Sequence, residues 1–126
     1  TPRPLAYIER RRGTLVWESY LVTECVKGQR LYDFLQDGNV AEEERSKVTQ
    51  QVRELVDELG KHRISHGDLK HSNILITDNG PVLTDLDGMK VCRCNWMYRV
   101  RRRKDLRRFS KRNNCIRPYV KALKQV

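Results

Sequence analysis

His66, Asp68, Lys70 and Asn73 fall within one run, His66-Gly67-Asp68-Leu69-Lys70-His71-Ser72-Asn73, and Thr84-Asp85-Leu86-Asp87-Gly88 follows a dozen residues after Asn73. This spacing suits in-line phosphoryl transfer from a nucleotide. Such a reaction needs little covalent help from a protein, so what a sequence must supply is positioning and cation placement. Asp68 provides a carboxylate to accept or orient the proton of an acceptor hydroxyl. Lys70 stabilises the charge on the transferred phosphoryl group. Asn73 is a ligand for one Mg²⁺, and a carboxylate after the next strand is the ligand for the other. Asp85 is the first choice because Thr84-Asp85 closes the strand; Asp87, followed by Gly88, is the second. His66 braces the loop through hydrogen bonds in preference to acting as a base. His71, between Lys70 and Asn73, reads as solvent-facing, and His62 as a charge at a helix end.

These residues need a scaffold that brings two distant segments together. Residues 73–77 form a short apolar β-type run, 78–81 carry turn chemistry, and 82–84 begin a return strand. That hairpin holds Asn73 and Asp85 on one side of a cleft. Upstream, residues 42–62 give the strongest helical signal. Val48, Val52, Leu55, Val56 and Leu59 recur at three- to four-residue spacing, three glutamates open the segment and Gly60 with basic residues closes it. This helix delivers Ile64-Ser65-His66 to the loop. Residues 5–8 and 15–22 read as strands joined by a basic turn, Glu9-Arg10-Arg11-Arg12-Gly13. Residues 29–36, 102–111 and 118–125 read as helices, and 89–91 is ambiguous. Leu106 and Phe109 mark one buried stripe.

With these motifs in place, the chain resembles the lipopolysaccharide core kinase family, bacterial enzymes of protein-kinase-like fold that phosphorylate inner-core heptose or Kdo sugars. The residues that carry the resemblance are the 66–73 loop with Asp85, the opening Thr1-Pro2-Arg3-Pro4-Leu5-Ala6, the segment Ser19-Tyr20-Leu21-Val22-Thr23-Glu24, and Asp105-Leu106-Arg107-Arg108-Phe109. The resemblance implies an α+β fold: a protein-kinase-like C-terminal lobe, mainly α-helical with small β hairpins. Residues 1–26 would be the last N-lobe strands and the hinge, and 27–126 the helical lobe. It implies ATP and Mg²⁺ as cofactors, with adenine recognised at Glu24 and Val26 of the hinge and resting on Leu75. No Gly-rich phosphate loop, strand lysine or helix glutamate precedes the hinge, so this stretch alone is expected to be a poor catalyst. Gly67 departs from regulated protein kinases, which carry Arg there to pair with a phosphorylated activation loop. No Ala-Pro-Glu segment follows Gly88. A kinase for another small molecule or a protein is the first alternative; a pseudokinase or basic scaffold is the second.

Charge is distributed unevenly. Residues 1–90 hold 13 basic and 15 acidic side chains, whereas residues 91–126 hold 13 basic and one acidic, within an overall net charge of +10. Arg99, Arg101, Arg102, Arg103, Lys104, Arg107 and Arg108 form the centre of the basic block and suit a polyanionic partner. For a kinase of the lipopolysaccharide core, the acceptor and the cytoplasmic face of the inner membrane are both anionic. The expected location is therefore cytoplasmic and peripheral to that membrane. Trp96, Tyr98 and Phe109 interleave with the arginines as in single-strand binding, but the Leu106–Phe109 stripe weighs against nucleic acid. The cysteines, Cys25, Cys92, Cys94 and Cys115, lack zinc-site spacing and read as reduced thiols.

Overall fold

The computed structural model describes residues 1–111. The expected helix over 118–125, together with Arg112 and Cys115, lies outside them. The chain opens with an antiparallel ribbon, β1 (Pro4–Arg12) and β2 (Leu15–Thr23). Residues 9–13 were expected to be the turn, but the strand runs on to Arg12 and the reversal is Gly13-Thr14. Arg12 pairs with Leu15 and Gly13 sits at φ +65°, the left-handed backbone that a two-residue hairpin loop demands. Charged residues fit inside these strands because the ribbon is exposed. Arg10 faces Glu18 in register and forms an ion pair with it, while Arg11 pairs with Glu9 along its own strand.

Beyond the ribbon, Gln29 and Arg30 form a strand (β3) where the pattern suggested the start of a helix. They pair with Ile76 and Leu75 of β5 (Ile74–Thr77), which in turn pairs with β6 (Gly80–Leu83). Only then does α1 (Leu31–Gln36) begin. The predicted long helix is α2 (Glu42–Lys61), with its glutamates in the first turn and Val48, Val52 and Val56 fully buried. Leu55 and Leu59 pack half-buried at the edge of the same cluster.

The core gathers Leu31, Phe34 and Leu35 of α1, the three valines of α2, Leu83 of β6 and Phe109 of the last helix. Two further members, Leu69 and Ile74, belong to the candidate catalytic loop and the strand it enters. Burying each such side chain contributes about 1.5–3 kcal/mol, so apolar packing pins the loop at its middle and where it enters β5.

Two-residue strands complete the frame. β4 (Ile64–Ser65), just before His66, pairs antiparallel with β7 (Lys90–Val91), just after Gly88. The final helix, α3 (Asn95–Lys111), starts seven residues earlier than the 102–111 expectation. Cys94 precedes it, and the backbone N–H groups of Met97 and Trp96 hold its thiol below the usual range. Arg102 donates to the Val56 carbonyl at 3.1 Å and reaches Asp57, tying α3 to α2. The content is mixed α+β, with two hairpins flanked by three helices. Among the described residues no helix is long and apolar enough to cross a membrane.

Candidate active site

The 66–73 loop leaves β4, passes under α3 and ends in a 3₁₀ turn (His71–Asn73) that feeds β5. Asp68 and Lys70 meet at 2.5 Å, both half-exposed toward solvent. The Lys70 ammonium holds the Asp68 carboxyl below the usual carboxylate range, with smaller contributions from Arg108 and the Asn73 amide. Asp68 is therefore ionised at neutral pH.

Asn73 joins the two segments. Its buried side-chain amide donates to the Asp68 carbonyl at 3.0 Å and to Asp85 Oδ2 at 3.0 Å, and lies 3.4 Å from Asp68 Oδ2. Its Oδ1 accepts from Ser72 Oγ at 3.3 Å. The Thr84 N–H donates to the Asn73 carbonyl, closing the hairpin at the same level. Asp85 adopts a left-handed backbone, φ +59° and ψ +61°, a conformation that costs a non-glycine residue about 1–2 kcal/mol. That backbone turns its carboxylate toward Asn73. Asp87, two residues on, is exposed within a 3₁₀ turn (Leu86–Gly88) and makes no hydrogen bond to Asn73 among the described residues. Of the two candidate carboxylates, the structure brings Asp85 to Asn73.

His66 is 1 % exposed and its Nε2 lies 3.1 Å from the Thr84 carbonyl. A carbonyl can only accept, so Nε2 carries the proton. The imidazole thus links the start of the loop to the residue before Asp85. His71, expected at the surface, is buried and stacked on Phe109 with ring centroids 4.3 Å apart. Burial pushes its pKa down to about 4. His62 remains at the helix end, 3.0 Å from Glu58.

Three residues named in the sequence hold this loop in roles that the sequence did not show. Asp105, buried on α3, accepts from Ser65 Oγ at 3.1 Å, from the His66 N–H at 2.9 Å and from the Gly67 N–H at 3.0 Å. Its signal was its isolation: it is the one acidic side chain among 13 basic ones after residue 90. Arg108, one α3 turn further, donates to the Gly67 carbonyl and stands 3.6 Å from Asp68 Oδ1. Gly67 itself has φ +88°, and a Cβ there would come within 2.6 Å of the Gly88 carbonyl oxygen. The position expected for the Arg of regulated protein kinases is here filled by backbone contact, and a guanidinium reaches the spot from α3.

The remaining expected residues are more dispersed. Glu24 closes the ribbon, its N–H donating to the Arg3 carbonyl and its carboxylate accepting from the Arg3 N–H, both at 3.0 Å. Val26 lies in the connector before β3, and Leu75 is half-buried on β5, paired with Arg30 and Val82. Leu75 alternates with the core residues Ile74 and Ile76, so it faces away from the core. Arg99, Arg103, Lys104, Arg107 and Arg108 are exposed on α3, whereas Arg101 is half-buried and Arg102 is committed to α2. A cavity of about 350 Å³ opens beside Lys70 and Arg108. A larger one, about 490 Å³, lies between the hinge, α2 and the β5–β6 hairpin, and contains none of Asp68, Asn73 or Asp85.

Magnesium fits the donor set at Asp85 and Asn73. Both offer hard oxygens, and Mg²⁺ takes one or two protein ligands while completing its shell with water and nucleotide phosphates. Among the described residues no three His, Cys, Asp or Glu side chains cluster as a metal cage.

The profile of the protein kinase domain matches residues 15–95, more than half of the chain. A "Probable serine/threonine-protein kinase KIN1 homolog" of Encephalitozoon cuniculi (strain GB-M1) is 36% identical over 64 residues, covering 50% of this chain and 11% of the relative. A protein of the same name from Enterocytozoon bieneusi (strain H348) is 41% identical over 61 residues, 48% of this chain and 10% of the relative. The chain thus spans about a tenth of the length of these curated relatives.

Proposed function

The chain belongs to the protein kinase domain family, and from that premise we propose that it transfers a phosphoryl group from ATP to an alcohol hydroxyl, with Mg²⁺. The observation that carries this reading is the Asn73 amide, which touches both Asp68 and Asp85. In this reading Asp68 orients the acceptor hydroxyl. Kept ionised by Lys70, it is a weak base, so it steers the hydroxyl and receives its proton late in the transfer. Lys70 offsets charge on the phosphoryl group in flight. Asp85 and Asn73 would hold the metal, which when bound neutralises the nucleotide phosphates. His66 and Asp105 keep loop and hairpin in register. The hinge backbone at Glu24 and Val26, with Leu75, would receive the adenine.

The names of the matched relatives support a serine or threonine hydroxyl on a protein as the acceptor. A sugar hydroxyl of the lipopolysaccharide inner core is the second reading, and one observation favours it. Residues 86–94 alone separate Asp85 from α3, too short a stretch for the activation and peptide-docking segment that protein kinases place there. On that reading the exposed arginines of α3 would face an anionic acceptor and the cytoplasmic surface of the inner membrane, with the protein held there peripherally.

The test offers Mg-ATP and the full-length protein two acceptors, a serine/threonine peptide library and lipopolysaccharide lacking core phosphate. Added phosphate is then sought by mass spectrometry. Phosphate on peptide supports the first reading, and phosphate on the glycan supports the second. No transfer together with no Mg²⁺-dependent ATP binding contradicts both and leaves an anion-binding scaffold.

A further inference from the structure

The 350 Å³ cavity beside the catalytic loop is walled by three cations, Arg30 of β3, Lys70 and Arg108, against one carboxylate, Asp33, with Tyr32 and Ser72 adding hydroxyls. It adjoins Asp68 directly, because Lys70 and Arg108 both contact that carboxylate. Arg108 is fixed in place. Its Nη1 is engaged by the Gly67 carbonyl and faces Asp68, while its side chain stays 53% exposed and its Nε and Nη2 make no hydrogen bond among the described residues. A guanidinium held on one edge with its other N–H groups open is preorganised for an oxyanion, and a forked pair of donors matches phosphate geometry. Arg30 lines the same cavity from β3, whose backbone pairs with Leu75. Asp33 and Asp68 together leave one of the three cations unbalanced, and the forked donors of Arg108 select a phosphate for that place.

From this geometry we infer that the cavity is an acceptor subsite for a phosphate monoester: the molecule whose hydroxyl reaches Asp68 already carries a phosphate, held between Arg30 and Arg108. The inference rests on the phosphotransferase reading and adds the chemical class of the acceptor. A phosphorylated sugar and a peptide with a neighbouring phosphoserine share this chemistry, and the experiment separates them.

The full-length protein is saturated with Mg²⁺ and a non-hydrolysable ATP analogue, which fills the γ-phosphate position. Glucose 6-phosphate is titrated against glucose, and a serine peptide with an adjacent phosphoserine against its unmodified form, by calorimetry. One phosphorylated probe is expected to bind at least ~10-fold tighter than its parent, the scale of one or two charge-assisted hydrogen bonds. Arg30→Gln is expected to erase most of that preference while leaving the unphosphorylated probe unchanged, and Arg108→Gln to erase it as well. The exposed Arg30 variant guards against misfolding at Arg108. The sugar arm responding identifies a small acceptor, and the peptide arm a protein. Equal affinity within both pairs, or a preference that survives both substitutions, overturns the subsite. If the analogue itself does not bind, the phosphotransferase reading fails, and the same pairs without nucleotide still decide whether the cavity selects phosphate.

Discussion

The Asp105 carboxylate accepts hydrogen bonds from the backbone N–H groups of both His66 and Gly67, 39 and 38 residues earlier in the chain. One side chain of α3 thereby fixes the backbone that carries Asp68. Asp105→Asn would keep one acceptor oxygen and set an NH2 donor against the other backbone N–H, and a buried donor without a partner costs about 1–3 kcal/mol. The expected outcome in urea unfolding is a loss of roughly 1–3 kcal/mol for the one N–H left without an acceptor, with turnover falling even where the variant remains folded.

Gly67→Ala would be strained twice, by φ +88° and by the 2.6 Å approach to the Gly88 carbonyl. A left-handed residue costs on the order of 1–3 kcal/mol, and displacement of Gly88 would disturb the turn after Asp85. Thermal unfolding should register the cost. A variant as stable and as active as the parent would show that the loop can relax.

His71 carries a pH dependence of stability. In the folded chain it titrates near 4, against an ordinary 6.5, because it is buried. As pH falls, the unfolded chain takes up the proton first. Stability is therefore full above about pH 6.5 and declines toward pH 4, by up to roughly 3 kcal/mol. His71→Phe, which keeps the stack on Phe109, should flatten that stretch of the profile in urea titrations at pH 7.5 and 5.

Lys70 sets the charge state of Asp68. In Lys70→Met the carboxyl should titrate closer to its ordinary range, so the acidic limb of the kcat/KM profile moves to higher pH. Turnover should fall ~10²-fold from loss of charge stabilisation. A variant that loses turnover with an unmoved limb would separate the two roles.

The candidate catalytic run was legible because the chemistry proposed for it is local. Asp68, Lys70 and Asn73 are fixed by spacing, and the α2 stripe at Val48, Val52 and Val56 announces its buried face. Asp85 and Asp87 were not separable in sequence, since only the left-handed backbone at Asp85 decides which carboxylate meets Asn73. The loop-holding roles of Asp105 and Arg108 were hidden for a different reason. Their partners lie 38–41 residues away, and the basic block around them reads as surface. β4 and β7 are two residues each, too short to show a period. The turn expected at Glu9–Gly13 failed because exposed strands tolerate charge, leaving Gly13 as the only local signal.

Asp68 carries the proposed chemistry, and steady-state transfer of labelled γ-phosphate from ATP by the full-length protein, with Asp68→Asn alongside, tests that role most directly. The expected result is a fall in turnover of at least ~10²-fold, the low end for losing a positioned acid–base group, with Mg-ATP affinity retained. Near-normal turnover in Asp68→Asn would contradict the assignment of this loop as the phosphoryl-transfer site.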